Sequence, residues 1–228
     1  MSPRPRREER HPDLQTAIKE TAWKQIAEFG APSIGLRSIA RELNITAPSI
    51  YNYYPSRDNL VTALIVDAYN SLADAQETCI ENLLAHDLSG RLSALGIAYR
   101  QWAVTYPQRY QLIFGTPIPH YHAPEEFTTP AARRALAPLI EAIQDLSSAG
   151  NLRTERLVPL TPNLKSMLEA WQEFAGGADL EVLYLALVIW SRVHGLVMLE
   201  IGKQFPAFIV DPTELFQREI NNILVQYL

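Results

Sequence analysis

The segment Leu36–Arg57, LRSIARELNITAPSIYNYYPSR, leaves a chain like this few ways to fold. Leu36, Ile39, Ala40 and Leu43 recur at the period of one helical face. Asn44 breaks that pattern, and Asn tolerates the left-handed backbone that a tight turn needs. Ile45 follows as an apolar plug, Thr46 is a good N-cap, and Pro48 falls in a first helical turn, where a missing N–H costs nothing. Ile50 and Tyr53 supply the inward face of this second helix and Pro55 ends it, while Ala40 is small where two helices cross closely. The pattern is two short helices at a sharp angle, a helix-turn-helix, whose second helix enters the major groove of DNA.

The residue types around the second helix suit that use. Thr46, Ala47, Pro48, Ser49, Asn52 and Tyr53 lie in or beside the groove-facing helix. Thr46 and Ser49 can donate to phosphates or bases, and Asn52 can pair with both polar atoms of an adenine edge. Tyr51 and Tyr53 can give a hydroxyl to a phosphate, although Tyr53 also falls on the inward face. Arg37 and Ser38 open the preceding helix. Ser56 and Arg57 open the next, Ser56 as N-cap and Arg57 as a phosphate clamp.

With a long helix before it and IYNYYPSRDNL behind it, the segment resembles the N-terminal domain of TetR-type transcriptional regulators over Asp13–Ala68. The usual family form has Gly at the turn and Phe before the closing Pro, where this chain has Asn44 and Tyr54. The resemblance implies a dimer that reads an inverted-repeat DNA operator, and a helical body that answers a small molecule. Further on, Tyr106–Pro107, then RYQLIFGTP from Arg109, then Trp190 with His194–Gly195, look like the regulatory domain named for Trp, His and Gly in such proteins.

A net charge of −5 over 228 residues is the wrong sign for a DNA binder taken as a whole, but its distribution is uneven. Residues 1–60 hold nine Lys/Arg against seven Asp/Glu, and the remainder 11 against 18. A mildly basic head on an acidic body suits a protein whose head alone meets phosphate. Periodicity predicts an all-α fold: a basic arm over 1–12, disordered in isolation; a three-helix DNA-binding domain over 13–58, its first helix Asp13–Phe29 with Trp23 and Phe29 in the core; and a larger helical regulatory and dimerisation domain over 59–228. One cysteine, Cys79, permits no internal disulfide, and no secretory signal is visible, which reads as cytoplasmic. The apolar run Val182–Ile189 is interrupted by Arg192 and His194, and no membrane partner is expected.

In the body, Ser56 to about Ala85 reads as one long helix, which the family resemblance makes the lever between head and body. Helices follow over Ser89–Tyr106, Pro107–Phe114, Glu125–Gly150 and Asn163–Phe174. Asp179–Gly202 is apolar almost all round, so its second side is expected to face another subunit, and Asp211–Leu228 is amphipathic. Two such helices per subunit can form a four-helix interface through Leu187, Trp190, Val193, Val197, Phe216, Ile220, Ile223 and Leu224. Trp102, Tyr106, Tyr110, Phe114, Trp171, Phe174, Trp190 and His194 are candidates to line a ligand pocket, favouring an apolar or amphipathic effector.

His120 and His122 are two ligands where a zinc site needs three or four, so no metal is expected, nor any other cofactor. There is no Gly-x-Ser-x-Gly, no phosphate-binding Gly-rich loop and no Cys/His pair at a telling spacing, so no catalytic residue and no enzyme activity are expected. The reading is a DNA-binding regulator, expected to be a homodimeric repressor released by a small molecule. Two others fit the same residues: an effector-independent regulator with a filled body, and a helical small-molecule binder whose head serves protein contacts.

Overall fold

A computed structural model describes residues 11–155 and 157–228, so residues 1–10 of the expected basic arm lie outside the described residues. Among the described residues the chain is all-α, as its periodicity predicts: α1 His11–Phe29, α2 Leu36–Glu42, α3 Ala47–Tyr51, α4 Arg57–Glu81, α5 Leu88–Thr105, α6 Pro107–Phe114, α7 Glu125–Ser148, α8 Pro162–Gln172, α9 Leu180–Ile201 and α10 Thr213–Tyr227. The chain gathers into two compact units, one holding residues up to Ala68 with Gln108–Thr128, the other Tyr69–Pro107 with Thr129–Leu228. The expected division near residue 58 missed the return of Gln108–Thr128 to the first unit. Two contacts mark that return: the Arg109 guanidinium lies 5.5 Å from the Trp23 ring centroid, and the Tyr121 and Thr62 hydroxyls are 2.9 Å apart.

The core of the first unit is the stripe Ile18, Ala22 and Ile26 of α1 packed with Leu36, Ile39 and Ala40 of α2, Ile50 of α3, and Leu60, Val61 and Leu64 of α4. Ala40 is buried, as the close crossing requires. Phe29 is not core: it is 64% exposed, because it is the last residue of α1 and the chain turns away at Gly30, where φ is 79°. α4 spans 25 residues, about 37 Å at 1.5 Å per residue, shorter than its apolar pattern suggests. Ser56 caps it, its hydroxyl accepting from the Asn59 N–H at 3.2 Å.

In the second unit α5 packs on α9 and α10. Gly96 marks the tightest approach: a Cβ there would lie 2.5 Å from Ile220 Cδ1. One turn on, Arg100 ties all three helices. It donates to both carboxylate oxygens of Glu200 at 2.7 Å and to the Thr213 hydroxyl at 3.0 Å, and its guanidinium sits 5.4 Å from the Phe216 ring centroid. The Glu200 hydrogen bond holds the Arg100 pKa above its ordinary value. At the start of α9, Asp179 and Gln144 exchange two hydrogen bonds, at 2.9 and 3.0 Å.

α9 buries Val182, Leu183, Leu185, Ala186, Ile189, Val193 and Val197 inside the protomer and leaves Leu187, Met198 and Leu199 exposed. The run continues through Arg192 and His194, so by length and composition alone Leu180–Ile201 could cross a membrane. Five residues expected at a subunit interface are instead covered by their own chain: Val193, Val197, Phe216, Ile220 and Ile223. The amphipathic pattern gives a buried side but not the identity of what buries it. Trp190 and Leu224 are half-buried.

The aromatic residues expected around one pocket are divided. Tyr110, fully buried, and Phe114 pair at 5.2 Å in the first unit. In the second unit Trp102 is core and donates through Nε1 to the Ser71 hydroxyl at 3.1 Å, Tyr106 is partly exposed beside it, and Trp171 and Phe174 are half-buried. His194 lies between Trp190, with ring centroids 4.9 Å apart, and the Tyr99 hydroxyl, 2.7 Å from Nδ1. Burial pushes the His194 pKa below its ordinary value of 6.5.

Two outcomes follow from this packing. Gly96→Ala is expected to be near neutral in urea unfolding, since Ile220 Cδ1 is the flexible end of a side chain and Ala gains helix propensity, whereas Gly96→Leu overpacks the crossing and costs about 1–3 kcal/mol. For His194 the unfolded chain takes up a proton more readily than the folded one. The linked stability is therefore full above pH 6.5 and falls as pH drops below it. Thermal melts from pH 7.5 to 5.5 are expected to fall more steeply for the native protein than for His194→Asn.

Candidate nucleic-acid interface

The turn between α2 and α3 closes on backbone geometry that Asn44 permits. Asn44 takes φ 52°, its N–H donates to the Arg41 carbonyl at 3.2 Å, and the next N–H, of Ile45, reaches back to Ala40 at 3.0 Å. This paired closure around a left-handed residue is a Schellman motif, with Asn where Gly is commoner. It satisfies the last carbonyls of α2 and turns the chain sharply into α3.

α3 starts at Thr46, which has extended backbone, φ −78° and ψ 145°. Its hydroxyl pairs with that of Ser49 at 2.9 Å and caps no backbone N–H. Pro48 takes the first turn. Ile50 is wholly buried and anchors the helix, and the N–H groups of Tyr53 and Tyr54 both return to its carbonyl at 2.9 Å. The inward tyrosine is Tyr54, buried, with Gln15 donating to its hydroxyl at 3.4 Å, while Tyr53 is half-buried.

Thr46, Pro48, Tyr51 and Asn52 are exposed on the outward side of α3, and Ala47 and Ser49 are half-buried among them. Beside them opens a cleft of about 440 Å³, lined by Arg37, Tyr51, Ser56 and Arg57 with Gly35, Leu36 and Pro55. Tyr51 is 44% exposed and Arg37 is exposed. The site thus combines hydroxyls, an amide and guanidinium groups along one helix and two flanking helix starts, a set that can bond phosphates and base edges.

Two of the expected contact residues are committed inside the protein. The Ser38 hydroxyl lies 2.7 Å from the Gly35 carbonyl and 2.9 Å from Gln25 Oε1, and Gln25 in turn donates to Glu42 at 3.0 Å. Arg57 donates from Nε to the Ile34 carbonyl at 3.0 Å and from Nη2 to the Pro32 carbonyl at 3.1 Å, and its Nη1 is 3.6 Å from Asp58. Residues given no role from sequence make the supporting bonds: Gln25 of α1 with Ser38 and Glu42 of α2, and Gln15 of α1 with Tyr54. Each is a polar residue on an amphipathic helix, with no local signal separating it from a solvated one.

The chain has clear relatives among known proteins. Residues 18–64 match the model of bacterial regulatory proteins of the tetR family, and residues 92–223 match that of the tetracyclin repressor-like C-terminal domain. The HTH-type transcriptional regulator Rv1816 of Mycobacterium tuberculosis is 33% identical over 215 residues, covering 94% of this chain and 92% of that protein. The HTH-type transcriptional regulator Mb1846 of Mycobacterium bovis matches with the same identity and coverage. Among solved structures, SCO4313 is 35% identical with a TM-score of 0.78, covering 98% of this chain and all of that one. The protein belongs to the TetR family of DNA-binding transcriptional regulators.

Proposed function

We propose that the protein is a cytoplasmic homodimeric repressor with no catalytic role, which reads an inverted-repeat operator and is released by an apolar or amphipathic small molecule. The observation that carries the DNA-reading part is the division of labour on α3. Ile50 is wholly buried beneath it while Thr46, Pro48, Tyr51 and Asn52 stand exposed on the other side. A helix held so firmly from behind, with its polar side bare, suits insertion into a major groove. In the dimer, the two recognition helices would lie about 34–36 Å apart, or a multiple of one DNA turn.

The dimer face is assigned to the sides of α9 and α10 that the protomer leaves uncovered. These carry Leu187, Met198 and Leu199 on α9, and Leu215 and Val225 on α10. Release would act through α4, which contributes residues to both compact units and so links them covalently. A ligand favouring one arrangement of the dimer shifts the population away from the DNA-competent form.

Mobility shift with the DNA upstream of the protein's own gene, at two salt concentrations, tests the reading. A discrete, sequence-dependent, salt-sensitive complex is expected, and absence of binding to any DNA at low salt would overturn it. Asn52→Ala is expected to lower discrimination at one operator base pair by about 1–3 kcal/mol, measured as the affinity ratio between native and substituted operator. Light scattering at micromolar concentration is expected to report a dimer, and Leu199→Asp a shift toward monomer.

A further inference from the structure

Arg57 looks, from its place at the start of a helix, like a phosphate clamp, but two of its three guanidinium nitrogens are taken by backbone carbonyls of its own chain. Nε and Nη2 reach two carbonyls of the same turn, Ile34 at 3.0 Å and Pro32 at 3.1 Å, and Nη1 leans toward Asp58. That turn is the short 3-10 piece Ala31–Ser33 between α1 and α2, entered at Gly30 in a left-handed conformation. Its own bonds converge on two carbonyls: the Ser33 N–H and hydroxyl donate to that of Gly30 at 3.1 and 2.6 Å, and the Ile34 N–H donates to that of Ala31 at a long 3.4 Å. The Pro32 and Ile34 carbonyls are held from outside, by a guanidinium whose planar fork fits two acceptors at once.

We propose that Arg57 is a positioning residue: it ties the α1–α2 turn to the start of α4 and so shapes the cleft beside α3, while Arg37, with the Tyr51 hydroxyl, carries the operator phosphate contact there. This rests on the DNA-reading function proposed above and assigns roles within it. Arg37 and Tyr51 line the cleft from an exposed position, and neither is drawn into the turn that occupies Arg57. The two arginines thus divide between them the tasks of charge on the outside and geometry on the inside.

The two roles separate by salt dependence, because each neutralised phosphate contributes about 0.9 to the slope of log affinity against log salt. Operator titrations over a salt series are made with the native protein, Arg37→Ala, Arg57→Ala and Arg57→Lys. Arg37→Ala is expected to flatten the slope by about 0.9 for each head of the dimer. Arg57→Ala is expected to weaken binding by the same factor at every salt concentration, leaving the native slope. Arg57→Lys keeps the charge but not the fork and is expected not to restore affinity. Flattening by Arg57→Ala to the extent seen for Arg37→Ala, or full rescue by Arg57→Lys, overturns the proposal.

Hydrogen exchange on the full-length protein without DNA gives the second readout. The Ser33 and Ile34 amides are expected to exchange faster in Arg57→Ala while those of α10 keep their native rates; native rates at Ser33 and Ile34 would overturn the role. Should the native protein bind no DNA, the regulator reading falls, and the exchange rates still decide whether Arg57 holds the turn.

Discussion

A helix of five residues cannot hold itself together in water, since isolated helices shorter than about 12–15 residues are marginal even in favourable sequences. α3 is such a helix, and the first unit is built around supplying what it lacks. Ile50 is sunk wholly into the core made by α1, α2 and α4, so apolar burial takes the place of helix propensity. The left-handed turn at Asn44 sets the angle of entry, and the N–H groups of Tyr53 and Tyr54, just past the helix, return to Ile50 itself. With one face committed in this way, the remaining side chains stand outward in a fixed arrangement. Preorganisation of this kind lowers the ordering cost of meeting a ligand.

The same logic of external support runs around the site. Gln25 of α1 bonds both Ser38 and Glu42 of α2, and Arg57 closes the α1–α2 turn against the start of α4. Polar groups placed where DNA contacts are expected are thus partly spent on holding the backbone that offers the others. In the second unit, Arg100 plays a comparable part for α5, α9 and α10, joining Glu200, Thr213 and the Phe216 ring. Both carboxylate and guanidinium keep only 17% side-chain exposure, a setting in which the bidentate geometry counts for more than it would in open solvent.

The legible parts of the fold were those set by local chemistry. Asn44, Pro48 and Ser56 act where the turn, the first helical turn and the helix cap each demand their residue type, and α6 has the expected bounds, Pro107–Phe114. The readings that changed are those in which periodicity was asked to identify a partner. Val193, Val197, Phe216, Ile220 and Ile223 are apolar and inward, but inward toward their own chain. Tyr54 rather than Tyr53 is the buried tyrosine because α3 ends within a few residues of Ile50, so the helical period does not tell which of two neighbours points inside. Nothing local to Gln108–Thr128 indicates that it joins the N-terminal unit, because Arg109 and Tyr121 meet partners 86 and 59 residues away in sequence.

By itself, the amino-acid sequence determined an all-α chain opening with a helix-turn-helix and continuing into amphipathic helices, because capping, turn formation and helical periodicity act between residues a few positions apart. Only the tertiary structure decided which polar groups remain on the surface and which are consumed within it. Arg57, Ser38 and Tyr54 are settled by carbonyls, amides and apolar walls brought up from distant parts of the chain. A side chain's hydrogen bonds go to whichever acceptors folding places within about 3 Å, and spacing along the sequence carries no record of that.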